Sequence, residues 1–232
     1  MMNESRRITS RTVSRFFMFG AVVAIAFTAS ANAQTASLAF KRQMARVDFG
    51  LSVAGQLNPS STGSNYLSQT VSQVPSNTVG ALVEIRYIKS PLIGLEFNYG
   101  YSRYNETFNI GTGILKSQPP YQLGVQSKVT EYSMGYVAHG PTLSGLKTFG
   151  GVGVGGIEFK PTAGGGQGLP PEVRFGAYYM VGVEQGFHDD RYGVRASFRQ
   201  VFLGAPDFNQ NYLAGGARTV STEPNLGVYL RF

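Results

Sequence analysis

The chain is predicted to be all-β, an eight-stranded antiparallel up-and-down transmembrane β-barrel, and three observations carry that prediction. Eight stretches of roughly ten residues alternate apolar and polar side chains with period two, the signature of strands. The connections between them alternate strictly between short and long. The charges of the strands gather on one face and leave the opposite face apolar, the division a membrane-facing barrel requires. Composition agrees, with 30 Gly, 16 Phe and 13 Tyr and no apolar run after Phe27 long enough for a spanning helix.

Ahead of the strands, Arg6, Arg7, Arg11 and Arg15 precede an apolar run from Phe16 to Phe27, and Ala31-Asn32-Ala33 follows it. A basic segment, a short apolar segment and an A-x-A site make a secretory signal. The run is shorter than the ~20 apolar residues of a spanning helix. Thr9 and Ser10 lack the apolar pair expected after a twin-arginine motif, so general secretory export is favoured, with cleavage between Ala33 and Gln34. Residues 1–33 are then a cleaved signal peptide and residues 34–232 the barrel domain. Cleavage removes four Arg and Glu4, leaving 16 basic and 12 acidic residues, a net charge of +4. That excess is small and dispersed, which argues against nucleic acid as a partner. Cysteine is absent, so neither disulfides nor thiolate metal sites contribute.

Taken in order, Arg46 to Leu57 sets Val47, Phe49, Leu51, Val53 and Gly55 against Arg46, Asp48, Ser52 and Gln56. Val79 to Tyr87 sets Val79, Ala81, Val83, Ile85 and Tyr87 against Glu84 and Arg86. Ile93 to Tyr101 turns Ile93, Leu95, Phe97, Tyr99 and Tyr101 outward, with Glu96 and Asn98 inside. Lys128 to Ala138 alternates more weakly, Tyr132, Met134 and Tyr136 opposing Glu131 and Ser133. In Phe149 to Phe159, Val152 and Val154 share a face, but Ile157 and Phe159 break parity. One extra residue flips an alternation, so a bulge is expected near Gly155-Gly156. Phe175 to Phe187 resumes with Phe175, Ala177, Tyr179, Val181 and Val183 outward and Glu184 inward. Tyr192 to Phe202 sets Tyr192, Val194, Ala196 and Phe198 against Arg195, Ser197 and Arg199. The eighth strand is Leu226 to Phe232, with Leu226, Val228, Leu230 and Phe232 on one face and Gly227, Tyr229 and Arg231 on the other.

Three connections, Lys89-Ser90-Pro91, Ala138 to Leu146 and His188-Asp189-Asp190, are short and rich in turn formers. Four, Asn58 to Asn77, Asn105 to Gln122, Lys160 to Arg174 and Gly204 to Pro224, are long and loaded with Gly, Pro, Ser and Asn. This is the pattern of a bacterial outer-membrane barrel with both termini in the periplasm and its long loops outside. A soluble up-and-down barrel would share the strand count but turn its polar set to the surface. Here the charged face carries Arg46, Asp48, Glu84, Arg86, Glu96, Glu131, Glu184, Arg195, Arg199 and Arg231, five charges of each sign, which are expected to pair in a plugged polar interior. Tyr87, Tyr136, Phe187, Tyr192 and Phe232 toward the periplasm, and Tyr99, Tyr101, Phe159, Phe175 and Phe202 toward the outside, are expected to form two aromatic girdles. Cross-strand aromatic pairing accounts for the same residues.

Through this signal, strand rhythm and loop alternation, the chain resembles the small eight-stranded bacterial outer-membrane β-barrel proteins of the OmpA-like and opacity type. Leu226, Val228, Leu230 and Phe232 resemble the C-terminal signal of such proteins, which implies the barrel-assembly machinery as a partner during biogenesis; an ordinary amphipathic edge strand would read the same way. With the chain ending at Phe232, no peptidoglycan-binding domain is expected after the barrel. A monomer surrounded by outer-membrane lipids is expected, in a structural or surface-interaction role. Ser60 to Tyr66, Ala163 to Pro171 and Asn209 to Gly216 are the segments where an extracellular ligand would bind, or which simply shield the rim. A narrow channel for small solutes is the alternative, and a lipid-modifying enzyme the third reading.

Other motifs point nowhere specific. Gly151-Val152-Gly153-Val154-Gly155-Gly156 matches G-x-G-x-x-G, but Ile157-Glu158-Phe159-Lys160-Pro161 reads as strand, whereas a dinucleotide site needs a helix opening there. No cofactor is expected. His139 and His188 fall in short connections on the predicted periplasmic side, away from an outer-rim active site, and Asp189-Asp190 favours a tight turn. No Cys/His spacing suggests a metal site. The sequence therefore predicts no enzyme.

Overall fold

A computed structural model describes residues 38–90, 92–112 and 119–232. The expected signal peptide and the Ala33–Gln34 cleavage site lie outside the described residues. Two compact units are present. Of the first, which ends at Ala45, the described part is a short helix, α1 (Leu38–Met44), with Lys41 and Arg42 in its last turn, where cations complement the carbonyl ends.

The second unit contains every strand: β1 (Val47–Gln56), β2 (Ser61–Ser64), β3 (Thr70–Pro75), β4 (Thr78–Ile88), β5 (Ile93–Ile110), β6 (Tyr121–Leu143), β7 (Leu146–Pro161), β8 (Glu172–Phe187), β9 (Tyr192–Gly204) and β10 (Arg218–Arg231). Eight of these, β1 and β4 to β10, pair antiparallel around a closed ring. β1 joins β4 on one side and β10 on the other, and β5 joins β6. Closure leaves no unpaired edge in the ring. The remaining pair, β2 and β3, is a hairpin that pairs onto the far half of β5, from Val71↔Ile110 to Pro75↔Glu106.

The predicted strand cores are all present, and three strands run well beyond them. β5 continues to Ile110, β6 spans 23 residues and β10 begins at Arg218 rather than Leu226. Pro224 lies within β10 at a place where the β1–β10 ladder is interrupted, between Ala54↔Asn225 and the bridge Leu57↔Thr222. A missing N–H is tolerated at such a break. β6 and β7 meet in a two-residue turn, Ser144-Gly145, both with positive φ, instead of the longer connection expected from Ala138 to Leu146. The β8–β9 turn holds His188, Asp189 and Asp190 all in the left-handed region, which Asp tolerates better than most residues.

The register of β7 corrects the sequence reading. Its pairing with β6 is continuous from His139↔Phe149 to Ser127↔Pro161, with no bulge at Gly155-Gly156. Val152, Val154, Gly156, Glu158 and Lys160 stay on the outward face, while Ile157 and Phe159 point inward and are buried. Phe159 therefore belongs to the interior and not to an aromatic girdle. What changes at Glu158 is the solvent. From Phe49, Leu95 and Val152 to Val53, Tyr101 and Phe175, the outward face is an exposed apolar belt. Beyond it, toward the long loops, Arg103, Lys128, Glu158 and Lys160 face outward, and Val125, Val129, Ile157, Phe159 and Leu203 face inward. The phase of the alternation is constant; its polarity inverts.

Candidate functional site

The barrel interior is filled in two storeys. In the storey nearer the short turns, four guanidiniums meet the interior carboxylates. Arg86 donates from Nε to Glu96 at 2.5 Å and from Nη2 to Glu84 at 3.2 Å, and its Nη1 lies 3.8 Å from Glu184. Arg195 donates to Glu184 at 3.0 and 3.2 Å and to Asp48 at 3.2 Å, with Glu84 3.7 Å away. Arg231, closer to the rim, lies 3.3 Å from Asp48 and 3.6 Å from Glu184. Slightly deeper, Arg199 bridges Glu131 and Glu223 and donates to Ser133 at 3.2 Å. Aromatic faces complete the packing: Arg86 lies 4.4 Å from the Phe149 ring centroid, Arg195 4.8 Å from Tyr229 and Arg199 4.1 Å from Tyr178. Stacking suits a weakly hydrated guanidinium taken out of water.

Glycine makes room for these rings. A Cβ at Gly153 would lie 2.5 Å from Cε1 of Tyr178, so only Gly lets Tyr178 cross the lumen to Asn98 and Glu96. Part of the G-x-G-x-x-G match is thus explained by packing within a strand, with no helix following.

Nine of the ten charges expected in the interior, Asp48, Glu84, Arg86, Glu96, Glu131, Glu184, Arg195, Arg199 and Arg231, stand in this network. Arg46 does not: it precedes β1, is exposed, and forms no ion pair among the described residues. Its alternation was right, but a strand must be inside the ring for its inward face to have an interior. Glu223 takes part although the composition of residues 204–224 predicts a loop there. The polar surroundings of Pro224 hid the strand that carries it.

The storey nearer the long loops is largely apolar. Val125, Val129, Ile157, Phe159, Val201 and Leu203 line it, and Phe208 and Leu213 from the 205–217 loop close it from above. Phe208 meets Phe108 edge to face at 6.1 Å. The loop is pinned by Glu172, which accepts from the N–H of Asp207 at 2.9 Å and of Phe208 at 2.6 Å, and by Arg174, which pairs with Glu172 and Asp207. Asn65 ties the β2–β3 turn to this loop through the Tyr212 carbonyl at 3.0 Å. The segments expected to be free recognition loops are in part a folded cap, because Phe208 and Leu213 have an apolar interior to fill.

Glu106, also missed in the sequence, sits beneath the cap beyond the apolar belt. Its Oε1 accepts from Gln73 at 2.8 Å and lies 3.4 Å from the Tyr104 hydroxyl. Burial pushes its carboxyl up to about 8 against those hydrogen bonds, and the same burial, with Glu106 beside it, holds the Tyr104 hydroxyl well above its ordinary range. Burial also raises Glu172, with the nearby Asp207 charge adding to it and the Phe208 N–H opposing. Between the storeys remains a cavity of about 50 Å³, touched by Gln56, Gln73, Ser102, Glu106 and Glu223. Among the described residues no three His, Cys, Asp or Glu side chains are grouped to hold a metal ion. His139 and His188 both lie at the turn end, far along the strands from the cap.

Leu226, Val228, Leu230 and Phe232 face outward and are exposed, and the Phe232 N–H donates to the Val47 carbonyl at 3.3 Å, where β10 meets β1.

No protein-family model and no curated protein sequence matches the chain. Solved structures do. The outer membrane protein OprG from Pseudomonas aeruginosa superposes with a TM-score of 0.54 at 13% identity, over 80% of this chain and 95% of that one. Neisserial surface protein A aligns at 14% identity over 80% and 97% of the two chains, with a TM-score of 0.47. The likeness to OprG shows the fold: this chain has the architecture of small eight-stranded outer-membrane β-barrels.

Proposed function

We propose that this chain is an integral protein of the bacterial outer membrane, with a closed lumen and a structural or surface-interaction role exercised through its loop-end cap. One observation carries the reading. Arg86, Arg195 and Arg199 span the lumen with side chains no more than 2% exposed, each held by carboxylates from other strands. An eight-stranded ring is just wide enough for side chains to fill it, and these fill it.

The apolar belt supports lipid as the surrounding medium, since a charge facing lipid costs ~2–4 kcal/mol at the midplane. The three short turns and the terminal ends of β1 and β10 are then periplasmic, and the cap faces outward. The outward row of β10 is the segment read by the assembly machinery. A solute channel, the alternative, requires a continuous path through the Arg86–Arg195 layer. The histidines at the turn end favour no catalytic role.

Planar-bilayer recording tests the closed lumen. The unmodified barrel is expected to show no steady conductance, while Glu84→Ala combined with Glu184→Ala is expected to open a leak. A stable, uniform conductance from the unmodified barrel refutes the closed lumen and favours the channel.

A further inference from the structure

Immediately beyond the apolar belt, the outward face of β5, β6 and β7 carries three cations in lateral register. Arg103 is the cross-strand partner of Lys128, and Lys128 of Lys160. All three are exposed. Paired strands lie about 4.8 Å apart, so the row spans only ~10 Å across the sheet. Like charges directly opposite one another destabilise a sheet. Among the described residues none of the three forms an ion pair. The Arg103 guanidinium donates to the amide oxygen of Gln126, a neutral group. Glu158 shares the face, opposite Thr130, and leaves the patch net positive.

Beneath the row begins exposed aromatic and apolar surface, Tyr101, Tyr132 and Met134. Beside it an outward groove of about 690 Å³ runs past Tyr132, Met134, Gly156 and Phe175. Gly156 forms part of its floor, and packing does not demand glycine there: a Cβ would meet nothing closer than 3.7 Å. The depression is therefore open surface, bounded by Phe175, which is 84% exposed.

A cluster of unpaired cations at the edge of an apolar surface, next to an apolar groove, complements a molecule with an anionic head and a hydrocarbon tail. We propose that this face of the barrel binds a phosphorylated lipid of the outer leaflet, its phosphates on Arg103, Lys128 and Lys160 and an acyl chain in the groove at Gly156. Arg presents a planar fork to phosphate oxygens, and each Lys contributes a point charge with three donors. The site rests on the reading of the barrel as an outer-membrane protein with its cap outward.

The test uses the full chain purified from membranes in a nonionic detergent, with lipid A as the probe and native mass spectrometry as the readout. Lipid A stripped of its phosphates and inorganic phosphate serve as comparison probes. The wild type is expected to hold lipid A at least tenfold more tightly than the stripped form. Replacing the row by Arg103→Gln, Lys128→Gln and Lys160→Gln together should abolish that preference. Gly156→Leu should weaken both lipids while keeping it, and Lys89→Gln with Arg191→Gln, at the opposite end, should change neither. Thermal stability of the triple variant in detergent should be unchanged or raised, because repulsion has been removed. Equal binding of lipid A by wild type and triple variant, displacement of the lipid by millimolar inorganic phosphate, or a destabilised triple variant each overturns the site. A barrel that fractionates with the outer membrane yet shows no phosphate preference refutes this site alone; a barrel absent from that fraction refutes the reading beneath it.

Discussion

Glu184 offers the sharpest test of the lumen. It accepts two hydrogen bonds from Arg195, lies 3.8 Å from Arg86 and 3.6 Å from Arg231, and its side chain is 1% exposed. Glu184→Ala leaves three guanidiniums facing Asp48, Glu84 and Glu96. Breaking a buried ion pair by removing one partner costs about 3–5 kcal/mol. Arg195 keeps Asp48 and Glu84, so the lower end applies, about 3 kcal/mol. For a domain of this size each kcal/mol moves the midpoint by about 2–4 °C, so thermal unfolding should begin ~6–12 °C lower. Loss of β-sheet circular dichroism, and of the faster gel migration of the folded barrel, both in detergent, measure it. Adding Arg195→Met should recover part of the loss, since the two residues are directly coupled. A Glu184→Ala midpoint within the ~2 °C expected of a loop-end change such as Ser61→Ala would refute the paired network as a source of stability.

Three further outcomes follow from the cap and from β7. Because the Glu106 carboxyl is raised to about 8 in the folded state from an ordinary value of 4.5, the folded barrel holds a proton there that the unfolded chain has released. Its contribution to stability is therefore full below pH ~4.5, declines as pH rises and is exhausted above pH ~8; thermal melts of wild type against Glu106→Gln across that window should show a steeper fall for the wild type. Phe208→Ala removes a fully buried ring from the cap and should cost about 3–5 kcal/mol, read as faster proteolysis of residues 205–217 with the rest of the barrel intact. Val154→Arg, on the outward face of the belt, should sharply reduce the membrane-inserted fraction, whereas Glu158→Arg, four residues on and on the same face, should not; equal effects would contradict the inversion of polarity between them.

The strand cores were legible because lipid outside and charge inside impose opposite chemistry on alternate residues. Asp48, Glu84 and Arg86 could be assigned to the lumen from that contrast alone. It fails where the outer medium becomes water. Ile157 and Phe159 then look like a change of register, and the strand segments Ser102–Ile110 and Arg218–Asn225, polar on the outward side, look like loop. Glu106 and Glu223 were lost with those segments. An alternation whose apolar set swaps faces without a bulge accounts for both. The cap was not legible, because nothing local to Phe208 or Leu213 says that four other strands present an apolar floor to them. Arg46 failed for the opposite reason: period two continues one residue past the point where the ring ends.

The inversion of polarity along the long strands also fixes how deep the barrel sits. Sliding it by one two-residue step toward the short-turn side, about 6.6 Å, would bring Arg103, Lys128, Glu158 and Lys160 down toward hydrocarbon; sliding it the other way would lift Val53, Tyr101 and Phe175 toward water. The first displacement is opposed by a desolvation cost that rises from ~0–1 kcal/mol per Arg or Lys near the interface to ~2–4 at the midplane, the second by lost apolar burial. The chain thus carries its own plumb line, with a charged collar above and a greasy waist below.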